Sequence, residues 1–108
     1  MCEPTILHEN NFGHIMKCDS CNEIQICLGN IITNVSTDGF YGMKKVINQI
    51  SIDRADRGFD YCPRMKVMIK TPVEQLWIAF TKKEFEMTSE LFEMSNIMLQ
   101  TENALISN

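Results

Sequence analysis

Between Glu23 and Leu28 the apolar side chains Ile24, Ile26 and Leu28 occupy every second position; Gly29-Asn30 breaks the pattern and the β-branched stretch Ile31 to Val35 resumes it. Glycine at the first of two turn positions suits a type II′ turn, whose twist matches that of antiparallel strands. The stretch therefore predicts a hairpin with one apolar face. A lone two-stranded ribbon is marginal in water, so the rest of the chain must cover that face. The residues that follow offer the cover. Ser36 to Asp38 carry side chains able to accept from free backbone N–H groups, and Phe40, Met43, Val46, Ile47 and Ile50 then recur at helical spacing. A first helix is predicted from Asp38 to Ile52.

Two further hairpins flank this unit. Ile6 to His8 and His14 to Lys17 are extended segments around Glu9-Asn10-Asn11-Phe12-Gly13, whose Asn and Gly residues tolerate positive φ. Met65 to Lys70 and Gln75 to Phe80 are strands around Thr71-Pro72-Val73-Glu74, and Thr81-Lys82-Lys83-Glu84 is a capping box opening a long helix toward Ala104. The second and third hairpins, each with its helix, match at a constant offset of 45: Ile24 falls on Ile69, Ile31 on Leu76, Ile32 on Trp77, Val35 on Phe80, Ser36 on Thr81 and Phe40 on Phe85. This is either a ββα duplication or the binary pattern that any two such units share. Both readings lead to an α+β fold, a two-layer sandwich of antiparallel hairpins with two helices. At 108 residues the chain is one domain. Its expected parts are a Cys-containing hairpin (1–22), a first ββα unit (23–52), a loop (53–64) and a second ββα unit (65–108).

Ten basic against fourteen acidic residues give a net charge of -4, the wrong sign for gripping nucleic-acid phosphates. The loop from Arg54 to Tyr61 interleaves arginines with aromatics, but Asp56 and Asp60 pair its charge. No run approaches the roughly 18 apolar residues of a membrane span, and Met1-Cys2-Glu3-Pro4 lacks the regions of a signal peptide, so a cytoplasmic location is expected. There is no phosphate loop, dinucleotide fingerprint, H-E-x-x-H or serine-nucleophile elbow, which favours a non-enzymatic role. His8 and His14, placed opposite each other on the first hairpin, read as surface residues without a catalytic partner. Glu86, Glu90 and Glu93 read as a solvated helix face.

Chemistry concentrates in the five cysteines, an odd count that disfavours a full disulfide framework. Cys18-Asp19-Ser20-Cys21 has the gap that lets two thiolates of a tight turn meet one tetrahedral zinc, as in a zinc knuckle. If His8 pairs with His14, paired positions sum to 22, Cys18 lies opposite Pro4, and Cys2 extends beside the turn. The same register puts the histidines about 13 Å away. Cys62, in its Cys-Pro loop, is the best fourth ligand, because Cys27 lies about 20 Å along an extended strand. The expected metal set is Cys2, Cys18, Cys21 and Cys62, holding a structural zinc whose four thiolates leave no open position for water. Two alternatives stand beside it: metal-free thiols packed in the core, and a thiol-based redox or metal-handling protein using Cys18 and Cys21. The redox reading lacks a helix N-terminus to favour the thiolate, and Asp19 disfavours it.

The last helix carries two apolar stripes. Phe85, Phe92, Leu99 and Ile106 form one, and Met87, Leu91, Met94, Met98 and Leu105 form another. One covers the sheet; the methionine-rich other suits contact with a second chain. On the strands, alternation sends Leu76, Ile78 and Phe80 to one face and Trp77 and Ala79 to the other, with Cys27 and Ile32. A tryptophan on an outer face also asks for cover. A homodimer through Met87, Leu91, Met94 and Met98, or through the Trp77 face, is therefore expected, against the alternative of a fuller intramolecular core.

The order Met1-Cys2-Glu3, hairpin, Cys18-x-x-Cys21, strand ending Leu28-Gly29-Asn30 and Ser36-x-x-x-Phe40 resembles a family of small uncharacterised bacterial proteins over about residues 1 to 50. The resemblance implies a compact cytoplasmic protein with a Cys-based metal site and brings no activity with it. Gly39 stands where that pattern has an acidic residue, and Cys62 lies outside the matched part.

Overall fold

The computed structural model describes the backbone of residues 4–55, 67–70, 74 and 76–107, and the side chains of 4–50, 69, 74, 76 and 78–101. The elements are β1 (Thr5–Glu9), β2 (Gly13–Cys18), β3 (Glu23–Leu28), β4 (Ile31–Val35), α1 (Thr37–Ala55), β5 (Val67–Lys70), β6 (Trp77–Phe80) and α2 (Lys82–Ser107). Strands β1 to β4 form one antiparallel sheet in chain order, and β5 pairs with β6 in a separate two-stranded sheet. This is the expected α+β architecture. The first two hairpins are fused: β2 pairs with β3 from Gly13↔Leu28 to Cys18↔Glu23, so residues 19–22 are themselves a hairpin turn. Asn22 closes that turn at φ 55, a left-handed conformation that asparagine accepts more readily than most residues.

The turn and cap chemistry read from the sequence is present. Gly29 has φ +59 and Asn30 has no positive φ, the combination a type II′ turn requires. Ser36 Oγ accepts from the Gly39 N–H at 3.0 Å at the start of α1. At α2 the capping box is reciprocal: Thr81 N–H donates to Glu84 Oε1 (2.8 Å) and Glu84 N–H to Thr81 Oγ1 (3.2 Å).

Helix α1 runs three residues beyond Ile52, taking in Asp53, Arg54 and Ala55 from the expected loop. No glycine or proline lies between Ile52 and Gly58, so nothing at Asp53 obliges the helix to stop. The remainder of that loop, with Cys62, lies outside the described residues. The third hairpin corrects the 45-residue offset. Ile24 pairs with Val35, which would transfer to Ile69 with Phe80, yet Ile69 pairs with Ile78 and Phe80 with Val67. The slip is two residues, so each side chain keeps its face. Its physical source is the connection: two residues join β3 to β4, whereas positions 71–76 join β5 to β6 and leave the register free.

Phe40, Phe80, Phe92, Ile15, Ile24, Ile26, Ile47, Ile69 and Leu91 are the largest apolar side chains sealed in the core. The rings of Phe40 and Phe92 stack at 5.2 Å and tie α1 to α2. Phe80 meets Phe12 edge-on at 5.9 Å and Phe85 at 6.5 Å, anchoring the third hairpin to the β1–β2 loop and the first turn of α2. Leu76, expected on the inner face, is exposed because it precedes β6, whereas Ile78 and Phe80 are buried as expected. Cys27 is buried although alternation places it on the outer face, while its ladder partner Ile32 is 67% exposed.

Candidate functional site

Alternation along β2 and β3 puts Ile15, Ile24 and Ile26 in the core and turns Met16, Cys18, Glu23 and Gln25 to the opposite face. The ladder sets Met16 beside Gln25, Gln25 beside Asn34, and Cys18 beside Glu23. Thr5↔Lys17 and Ile6↔Met16 preserve the expected register at this end, which brings Pro4 alongside Cys18. These residues and Cys21 line a cleft of about 190 Å³. Cys18 is half-buried and carries a free thiol; Cys21 is exposed and disulfide-bonded. Cys18 and Cys27 are the free thiols among the described residues. Of the expected metal set, the structure brings Cys18 and Cys21 to one cleft, and Cys2 and Cys62 lie outside the described residues. Among the described residues no group of three or more His, Cys, Asp or Glu side chains is placed to hold a metal ion.

Cys27 belongs elsewhere. It pairs with His14 and Ile32, four positions along β3 from the partner of Cys18, about 13 Å away. Burial pushes its thiol pKa up, and its sulfur lies 3.6 Å from Gln25 Oε1. A buried, protonated thiol of this kind is inert.

The second polar constellation was not legible at sequence level. The β1–β2 ladder carries a bulge between Ile6 and His8, after which His8 stands opposite Ile15 and His14 opposite Glu9. The extra residue moves His8 onto the helix side of the sheet, away from His14; bulges re-aim side chains in this way. His8 Nε2 then lies 3.0 Å from Glu90 Oε1 on α2, so His8 has a partner after all. Asn10 reinforces the junction by donating to the Met87 carbonyl (2.9 Å) and to Glu90 Oε1 (3.4 Å), while its own Oδ1 accepts from the N–H groups of Phe12 and Gly13. The hydrogen bond from His8 holds the Glu90 carboxyl below its ordinary pKa, with smaller contributions from Asn10 and from the His8 charge. The sequence signal was the adjacency of Ile6 and Leu7, which breaks strict alternation.

The acidic face of α2 is exposed, as read, and two of its carboxylates also reach other elements. Glu90 meets His8, and Glu93 meets Lys44 of α1 at 3.4 Å. The expected association stripe divides: Leu91 is fully buried within the chain and Met87 half-buried, while Met94 and Met98 are each 40% exposed beside Ile97 at 49%. Leu91 therefore leaves the interface set. Its position three residues from Thr88 and four from Ser95, both fully buried, places it on the core side of α2. The Trp77 side chain lies outside the described residues. Among the described residues no helix is long and apolar enough to cross a membrane.

A family model described as "Family of unknown function (DUF6686)" matches residues 1–106. No curated protein and no solved structure matches the chain.

Proposed function

The chain belongs to this family of unknown function, and from its geometry we propose a non-enzymatic interaction module whose N-terminal β-turn is fastened by a structural zinc on Cys2, Cys18, Cys21 and Cys62. The observation that carries the reading is convergence. Cys18 and Cys21 line one cleft at the β2–β3 turn, so two sulfurs of the set share this end of the sheet. In a reducing compartment such as the cytoplasm these sulfurs are thiols, and zinc would replace their protons and contribute directly to folding. Four thiolates close the site and leave the ion no catalytic position.

The test is metal content together with thiol accessibility on protein purified under reducing conditions. One zinc per chain is expected, lost in Cys18→Ser and Cys21→Ser and retained in Cys27→Ser. Equal zinc loss in all three variants, or metal-free protein with freely reactive thiols, overturns the assignment. A second reading, thiol–disulfide chemistry at Cys18 and Cys21, is favoured by the free Cys18 thiol sharing a cleft with the disulfide of Cys21. Metal-free protein that reversibly forms a Cys18–Cys21 disulfide selects it. The module also self-associates on this proposal, through the exposed patch of Met94, Ile97 and Met98.

A further inference from the structure

Zinc coordination leaves one feature of the cleft unused. Met16 lines it together with Cys18 and Cys21. Met16 precedes Cys18 by two positions on β2, so the pleat turns both side chains to the same face. The register places it between Ile6 of β1 and Gln25 of β3 and away from the buried core cluster. A half-buried methionine beside two cysteines is a neutral, polarizable donor beside two sulfurs that become thiolates on taking a metal. A thioether adds little to a zinc site built from thiolates, but thiolates combined with thioethers select soft cations, copper(I) above all.

We propose that the cleft binds one copper(I) ion through Met16 Sδ, Cys18 Sγ and Cys21 Sγ. The assignment rests on the thiolate centre proposed above and names a further ion that the same turn takes, giving the module a metal-handling activity. Copper(I) is satisfied by few sulfur donors, so the described lining of the cleft supplies its whole set, whereas a closed zinc site needs cysteines from outside it. Two steps precede the bound state, and both balance. A water-soluble phosphine reduces the Cys21 disulfide, taking up the oxygen of one water as phosphine oxide while the two sulfurs become thiols. Copper(I) then displaces the protons of Cys18 and Cys21 to solvent, with no change in oxidation state.

The experiment uses the full chain, reduced anaerobically and freed of phosphine, titrated with copper(I) against a chromophoric copper(I) chelator; zinc content is measured in parallel. One copper per chain is expected, with a sulfur-to-copper absorption in the near ultraviolet. Met16→Leu preserves volume and apolar character; it should weaken copper(I) binding at least about tenfold while zinc content and the thermal midpoint stay those of the parent chain. Cys18→Ser should lose both ions. Parent-like copper affinity in Met16→Leu overturns the copper assignment alone, as does a parallel loss of zinc in that variant, which would make Met16 a packing residue. Failure of the reduced parent to take either ion overturns the thiolate centre on which it rests.

Discussion

Without the bulge in β1, His8 would stand opposite His14 on the face of the sheet that the helices do not cover; with it, the imidazole reaches Glu90 across the edge of the sandwich. One residue of slippage thus exchanges a histidine pair for a His8–Glu90 hydrogen bond and fastens the first hairpin to α2. The consequence is a pH dependence with a definite sign. His8 and Asn10 lower the Glu90 pKa in the folded chain from its ordinary 4.5. The unfolded chain therefore binds that proton more readily, and the contact adds stability that is full above about pH 4.5 and is lost as pH falls through the depressed folded value. Glu90 is exposed, so salt screens the effect. Thermal midpoints followed downward from pH 6 should fall less steeply for Glu90→Gln than for the parent chain at low ionic strength, and the two curves should converge in high salt. Identical acid limbs would leave the junction without energetic weight. The partnership escaped sequence reading because hydrophobic alternation specifies a face only while the ladder is regular, and Ile6-Leu7 is the one place in β1 where it is not.

At the scale of elements, legibility followed local chemistry. The Gly29-Asn30 turn, the Ser36 cap and the Thr81–Glu84 box each involve residues at most three apart, and each forms as read. What needed distant partners was misplaced or missed. The third hairpin slipped by two because its longer connection does not dictate register, and the full pairing of β2 with β3 on either side of the Cys18-x-x-Cys21 turn, itself read from the sequence, emerged only from the assembled sheet. Gly13 shows how closely that pairing is fitted. A Cβ on Gly13 would lie 1.9 Å from the Cys27 carbonyl oxygen, a backbone atom that cannot swing aside. At the same corner Gly29 N–H donates to the Phe12 carbonyl and Asn10 N–H to that of Gly13. Gly13→Ala must therefore lever β2 away from β3 where Phe12 contacts Phe80, and about 1–3 kcal/mol of destabilisation is expected in denaturant unfolding. A change below a few tenths of a kcal/mol would mean that the corner is looser than this packing requires.

For the molecule as a whole, the question is how much apolar surface one sandwich leaves over. The sequence showed α2 to be apolar on two stripes but could not apportion them, since period alone does not tell a core contact from an intermolecular one. Packing against α1 and the sheet does: Phe85, Leu91, Phe92 and Leu99 are consumed inside the chain, while Met94, Ile97 and Met98 retain 40%, 49% and 40% of their exposure along one turn of helix. A short chain has a high ratio of surface to core, and a flexible methionine surface packs readily against its own copy across a two-fold axis. The net charge of -4 opposes indiscriminate clustering, which favours one closed pairing over open aggregation. The division of the stripe also makes the test cleaner than the sequence alone allowed. Replacing both Met94 and Met98 with glutamate changes two side chains that already meet solvent and leaves Leu91 and Phe92 untouched, so the fold should survive. Sedimentation of the parent chain at high micromolar concentration should give twice its 12.5 kDa mass, and the double variant should give one chain's mass with an unchanged circular dichroism spectrum. A parent chain that sediments as a monomer rejects the dimer. An unfolded double variant would instead place the methionines in the core, against their exposure in the structure.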